Sequence, residues 1–258
     1  MAGLTNLAQQ KVLEQLLRGV AYTPPASVYT GHLTTLYDDG GAGGVQVTAG
    51  GSGRLATAFG AYASRRISSS ADMLWTATAD WGVVLGQGLW DNASGGNLLA
   101  QGAMAPNVNI KNGDPLRLLA GQLNINWSKW GPWLCQYAAE LLFKATAKTQ
   151  VTVYGHLCTT APTDDGTGAV VVTGTGYAPV SVPAWAAYAS GRCKLAADLS
   201  FTAAAGGAWG TLKAVMWRDN SGATAGNYLG QCAILPEPTI ASGDPVVLSA
   251  ADTYFGLD

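Results

Sequence analysis

The chain has 258 residues, enough for one large domain or two of ordinary size. Only 12% of the residues are charged and the net charge is −2, with Arg65-Arg66 as the one basic doublet, so a phosphate-tracking nucleic-acid surface is excluded. No run of about 18 apolar residues predicts a membrane helix, and the opening "MAGLTNLAQQ" lacks the basic and apolar regions of a signal peptide, so synthesis in a cytoplasm is expected.

The first predicted element is a helix. Leu13, Leu16, Leu17 and Val20 follow the i, i+3, i+4, i+7 spacing of one buried face, with Asn6 and Gln9 as a capping start and Gly19 as a stop. The texture then changes to short β segments divided by turn signals: Asp38-Asp39-Gly40, "NASGGN" at 92–97, and Gly113-Asp114-Pro115. Leu123, Ile125 and Trp127 alternate as a half-buried strand does. A second helix follows, with Pro132 in the first helical position and Leu134, Tyr137, Ala138, Leu141 and Leu142 as its stripe. Val151 and Val153 alternate again, and the series of short strands and Gly-rich turns resumes.

The second series repeats the first. Gly31-His32-Leu33 returns as Gly155-His156-Leu157, "AFGAYAS" (58–64) as "AWAAYAS" (184–190), and "GNLLAQGAM" (96–104) as "GNYLGQCAI" (226–234). The spacing drifts from 124 to 130 residues, as small loop insertions would make it. The expected fold is mainly β: residues 1–126 and 127–258 form two tandem copies of a jelly-roll-like β-sandwich, each with a leading α-helix.

The chemistry that could occupy these copies is thin. His32 and His156 are the two histidines, each in a predicted strand and without a nucleophile elbow beside it. Adjacent aspartates on a strand would point to opposite faces, so Asp38-Asp39 and Asp164-Asp165 read as turns rather than acid/base pairs. They also lack the alternating ligands of a calcium loop. Cys135, Cys158, Cys193 and Cys232 have no C-x-x-C spacing, which argues against zinc and favours free, buried thiols. Trp81 pairs with Trp209, Trp90 with Trp217, Trp75 with Phe201 and Phe59 with Trp185, as core aromatics. Trp127, Trp130 and Trp133 have no aromatic counterpart in the first copy; they are expected to fill the junction of the copies rather than form an exposed sugar platform. No catalytic, cofactor-binding or metal-binding residue is expected.

"AYTPPASVYTGHLTT", "DDGGAGG", "LWDNASGGNLLAQGAM" and "NGDPLRLLAGQLNI" together resemble a family of small tailed-phage virion proteins, labelled tail fibre proteins, whose fold is similar to capsid-decorating (cement) proteins. The likeness covers the first copy nearly end to end and the second more loosely, where "TAGNYL" replaces "SGGNLL". It implies a non-enzymatic virion protein. The absence of coiled-coil heptads and of a repetitive shaft tilts the expectation towards decoration, cement or a short adaptor, with a tail fibre or a receptor- or carbohydrate-binding module as the alternative. The expected partners are other virion proteins and copies of the chain itself, as a homotrimer.

Overall fold

The chain enters as a short strand, β1 (Ala2–Leu4), and turns at once into helix α1 (Asn6–Arg18). The computed structural model describes residues 2–127, 130–202, 207–222 and 225–256. The cap of α1 is Thr5, not Asn6: Thr5 Oγ1 accepts the Ala8 amide at 3.3 Å and donates to the Leu98 carbonyl at 2.7 Å. The amide of Asn6 instead donates to the Asp39 carbonyl at 2.9 Å. Ala8, Val12, Leu13, Leu16 and Leu17 form the buried stripe, each no more than 2% exposed. Val20 does not belong to it. Gly19, at φ +65°, ends the helix, and Val20 lies beyond it, 47% exposed, donating to the Glu14 carbonyl at 3.1 Å.

The first copy continues through β2 (Val28–Thr35), β3 (Val45–Gln46), β4 (Leu55–Thr57), β5 (Arg66–Ser68) and β6 (Met73–Thr76). It closes with β7 (Gly82–Trp90), β8 (Leu98–Ile110), β9 (Pro115–Leu118) and β10 (Asn124–Asn126). The sheet order is β3-β2-β7-β8-β1-β10-β5, with β4 also paired to β2. Strand β1 is antiparallel to β8 and parallel to β10. The antiparallel pair β6–β9 packs against β2, where Trp75 reaches His32 at 4.3 Å between ring centroids.

Helix α2 (Pro132–Phe143) begins with proline in its first turn, as expected, and buries Leu134, Tyr137, Ala138, Leu141 and Leu142. The second copy then runs through β11 (Tyr154–Thr160), β12 (Val170–Val171), β13 (Val180–Ser181), β14 (Arg192–Lys194), β15 (Leu199–Thr202) and β16 (Gly210–Thr211). After these come β17 (Ala214–Arg218), β18 (Tyr228–Ala233), β19 (Thr239–Ile240), β20 (Pro245–Leu248) and β21 (Tyr254–Gly256). Strand order β12-β11-β17-β18, with β13 on β11, repeats the arrangement β3-β2-β7-β8 with β4 on β2. The long β7–β8 ladder is cut into two here, β17–β18 and β16–β19, while β15–β20 and β14–β21 repeat β6–β9 and β5–β10.

The chain divides into two compact units. The first holds Met1–Val12, Tyr22–Trp127 and Gln136–Ala147; the second holds Leu13–Ala21, Ser128–Cys135 and Lys148–Asp258. The β regions therefore divide near residue 127, but each unit takes a part of each helix. Within the second unit the end of α1 is tied down by main-chain partners: Val151 N donates to Leu16 O at 3.1 Å, and Gln150 Nε2 to Leu17 O at 2.9 Å. Within the first, Phe143 from the end of α2 packs on Phe59 with centroids 5.4 Å apart.

Candidate functional site

The duplicated Gly-His-Leu does not place its histidines alike. On the β2–β7 ladder the rungs are Thr30↔Leu89, Gly31↔Gly88, His32↔Gln87 and Leu33↔Gly86. On β11–β17 they are Gly155↔Trp217, His156↔Met216, Leu157↔Val215 and Cys158↔Ala214. The edge strands fix the correspondence, since Leu33 faces Gln46 where Cys158 faces Val171. His156 thus stands on the rung of Gly31, and Gly155 on that of Thr30. A shift of one residue turns every side chain to the other face of a strand.

The two environments follow from that slip. His32 points into the core of the first unit, edge-on to Trp75 and stacked on Trp81 at 5.3 Å. It is fully buried, and both ring nitrogens lack a partner among the described residues. Burial pushes its pKa down to about 4, so it is neutral at ordinary pH. His156 points to the opposite face, where Nε2 lies 2.9 Å from the Asn220 carbonyl. Burial lowers its pKa too, and the carbonyl opposes part of that shift.

Tryptophan makes the complementary move. Trp90 lies over Gly31 and Gly88 with the Arg54 guanidinium 3.9 Å above its ring, whereas Trp217 lies in the core beside Gly155, with Trp185 at 5.4 Å. The expected Trp90–Trp217 pairing is therefore one of letters, not of place: Trp90 shares its rung with Arg218, and Trp217 shares its rung with Leu89. The pairing of Trp81 with Trp209 does hold in space. Their indole nitrogens donate to Gly50 O at 2.8 Å and Thr175 O at 3.4 Å.

The carboxylates close turns. Asp38 Oδ1 accepts the Ala42 amide at 2.8 Å. The matching turn of the second copy starts at Thr163, one residue before the Asp164-Asp165 pair, with Gly166 N donating to Thr163 O as Gly41 N does to Asp38 O. Hydrogen bonds from Thr163 and Thr167 hold the Asp165 carboxyl down at about 2. Asp72 and Asp198 each accept one backbone amide at 2.8 Å, from Ala120 and Ala250. Asp91 and Asp219 each clamp an asparagine, Asn97 and Asn227, through both its backbone and side-chain nitrogens. Among the described residues, no three His, Cys, Asp or Glu side chains gather as a metal site would require. All four cysteines are free thiols, and burial raises Cys158 to about 11 and Cys193 to about 12, far from a reactive thiolate.

The sequence profile of the podophage GP4 fibre I protein gp80 family matches the chain twice, over residues 3–126 and 133–255. The chain belongs to the gp80 fibre family. It carries the family unit in tandem, each copy begins with a helix, and the resemblance read from the first copy extends to the second. No curated protein matches it. Membership makes it a phage virion protein of fibre type, and no helix among the described residues is long and apolar enough to cross a membrane.

Two clefts open on the first unit of this gp80-family protein. A cleft of about 440 Å³ in the first unit is walled by the glycine-rich segment 47–53 and by Ala93, Ser94 and Gly95. Its one cation, Arg54, is already committed to Trp90, to Gln46 Oε1 at 2.7 Å and to Asn92 O at 3.0 Å. Trp127 and Trp130 are 7% and 8% exposed and Trp133 is half-buried, so the "WSKWGPW" segment offers no open aromatic platform. Trp127 packs on Tyr62 within the first unit, with centroids 6.1 Å apart. Ser128 and Lys129, between these tryptophans, lie outside the described residues. Sequence reasoning missed a smaller, amide-lined cleft of about 200 Å³ between β7, β8 and β10. Its Gln and Asn residues come from separate segments and form no motif.

Proposed function

We propose that the chain is a non-enzymatic structural component of a phage tail fibre. The supporting observation is the double match to a family described by its fibre, covering nearly the whole chain. The candidate acid/base groups have structural duties: one histidine packs on indoles, the other faces a carbonyl, and Asp38 and Asp165 accept hydrogen bonds that hold their turns. Capsid decoration is the second reading, favoured by a sequence without coiled-coil heptads or a repetitive shaft. The expected partners are other virion proteins and the chain itself as a homotrimer, a closed symmetry that avoids open-ended association. With 14 basic and 16 acidic residues, the contacts are chiefly apolar and hydrogen-bonded, so salt should weaken them little.

Gold-labelled antibody on purified particles, with quantitative mass spectrometry of copy number, tests the placement. Label at the tail and a few copies per particle are expected. Hundreds of copies spread over the capsid would overturn the fibre reading in favour of decoration. Native mass measurement at low and high salt tests the trimer, which a stable monomer at both would refute.

A further inference from the structure

We propose that the amide-lined cleft of the first unit binds one ring of an uncharged saccharide. Its walls are Gln87 on β7, Gly102 on β8, and Gln122, Asn124 and Asn126 at and before β10, and no charged residue lines it. Side-chain amides offer a donor and an acceptor side by side, which matches the hydroxyls of a sugar. Ala103 and Leu123 complete the lining, so the cleft offers polar, neutral groups carboxamide partners and a small apolar wall while supplying no counter-ion.

The amides are available. The side-chain amides of Gln87 and Asn126 make no hydrogen bond to any described residue, and both residues are at least partly exposed. Gln122 uses its Oε1 on the Leu119 amide at 2.8 Å, which fixes the side chain and leaves its nitrogen to donate. Asn124 is oriented by Ser68 Oγ at 2.6 Å and by the Gln122 carbonyl at 3.1 Å. The volume, about 200 Å³, falls below the ~300–1,000 Å³ of pockets for drug-sized ligands and suits a single sugar ring.

The second copy supplies a control within the same chain. On the matching rungs Gln87 becomes Val215, Gly102 becomes Cys232, Asn124 becomes Tyr254 and Asn126 becomes Gly256. There Tyr254 lies under the Arg192 guanidinium, 4.2 Å from its ring centroid, and Val215 is buried. In place of the amides the second copy sets an aromatic ring, a thiol and charged side chains, since Asp252 stands where Gln122 does, its amide donating to Ser249 O as that of Gln122 does to Leu119 O.

The inference goes beyond the fibre reading and is tested on the isolated full chain, so the placement of the protein on a particle does not affect the outcome. The full chain is titrated with the methyl glycosides of glucose, galactose, mannose and N-acetylglucosamine, following the side-chain NH₂ resonances of Gln87 and Asn126. At least one glycoside should shift both pairs with a millimolar dissociation constant, and glucuronate should not bind more tightly than glucose. Gln87→Ala with Asn126→Ala, which breaks no internal hydrogen bond, should weaken binding at least tenfold and leave the melting temperature unchanged. Gly102→Cys with Asn124→Tyr, copying the second copy, should abolish it. If none of the four glycosides moves those resonances, or the Ala double variant binds as well as the parent, the cleft is not a saccharide site.

Discussion

Strands β2 and β11 carry nearly the same letters and present them to opposite sides. In β2 the glycine of Gly-His-Leu makes room for Trp90 on the outer face, while the histidine fills the core. In β11 the glycine makes room for Trp217 beside Leu199 and Phe201, while the histidine takes the opposite and equally buried face with Cys158 and Met216, its Nε2 against the Asn220 carbonyl. What duplication preserved is a pairing of glycine with tryptophan across two strands, and not the side on which the pair sits. Both strands are buried on both faces, so either register satisfies the hydrophobic effect if the facing residues change volume together. They do: Gly31, Gly88 and Trp90 on one rung set answer to His156, Met216 and Arg218 on the other.

The largest expected effect comes from removing the tryptophans. Trp217→Ala should destabilise the second unit by about 3–5 kcal/mol, because the indole is fully buried among Gly155 and Trp185. Trp90→Ala should cost less in the first unit, since Arg54 can swing into the vacated space. Denaturant titrations that gave the reverse order would break the inner-versus-outer assignment.

Acid comes next. His32 is held neutral in the folded chain down to about pH 4, whereas unfolded it takes a proton near its ordinary value of 6.5. Its depressed folded pKa means that the unfolded state gains protons first as pH falls. The stability at this site is therefore whole above pH 6.5 and declines towards pH 4, by about 3 kcal/mol in total at ~1.4 kcal/mol per decade. His32→Leu should flatten that decline more than His156→Leu does, as melts at pH 7, 5.5 and 4 would show.

Single methyl groups sharpen the comparison further. A Cβ at Gly155 would meet Leu199, Trp217 and Phe201 at 3.1–3.3 Å, all rigidly packed, so Gly155→Ala should cost about 1–3 kcal/mol. At Gly31 the three nearest atoms, Arg54 Cγ, Gln46 Nε2 and Trp90 Cζ3, lie at 3.0–3.1 Å, so Gly31→Ala should cost about as much in the first unit. The smallest effect has the opposite sign. Ala145 ends α2 at φ +51°, with Thr146 N donating to Glu140 O as Val20 N does to Glu14 O after Gly19. Ala145→Gly relieves a left-handed alanine at some entropic cost, a net gain of about 0.5–1 kcal/mol readable in the melting temperature.

Much of this was legible in the sequence because it is carried by local chemistry. Leu134, Tyr137 and Leu141 announce a helical face by spacing alone, and Pro132 announces its start. The Asp-Asp-Gly segments announce turns by composition. The cap was missed by one place because Thr5 and Asn6 are both capping residues, and the hydrogen bond to Leu98, distant in sequence, decides between them. Register was not legible, since a strand buried on both faces has no polar alternation to mark its sides. The division of each helix between two units left no local mark either, for a continuous apolar stripe looks the same whichever body receives each turn. The amide cleft stayed hidden because its residues gather only once β10 lies beside β8 through β1.

The register slip also limits how the two halves of the gene can exchange. A crossover within the Gly-His-Leu codons, where the two copies read most alike, would join β11 residues to the neighbours of β2. With the downstream turn holding the register, one hybrid would carry Tyr154 onto the buried rung of Thr30 opposite Leu89, and its reciprocal would set Thr30 on the rung of Tyr154 opposite Arg218, overfilled in one case and underfilled in the other. Exchange in the Asp-Asp-Gly turn or in the helices carries whole strands across and avoids both faults. The nearly identical stretch is thus the least interchangeable, and recombinant genes that survive in this family should be joined in turns.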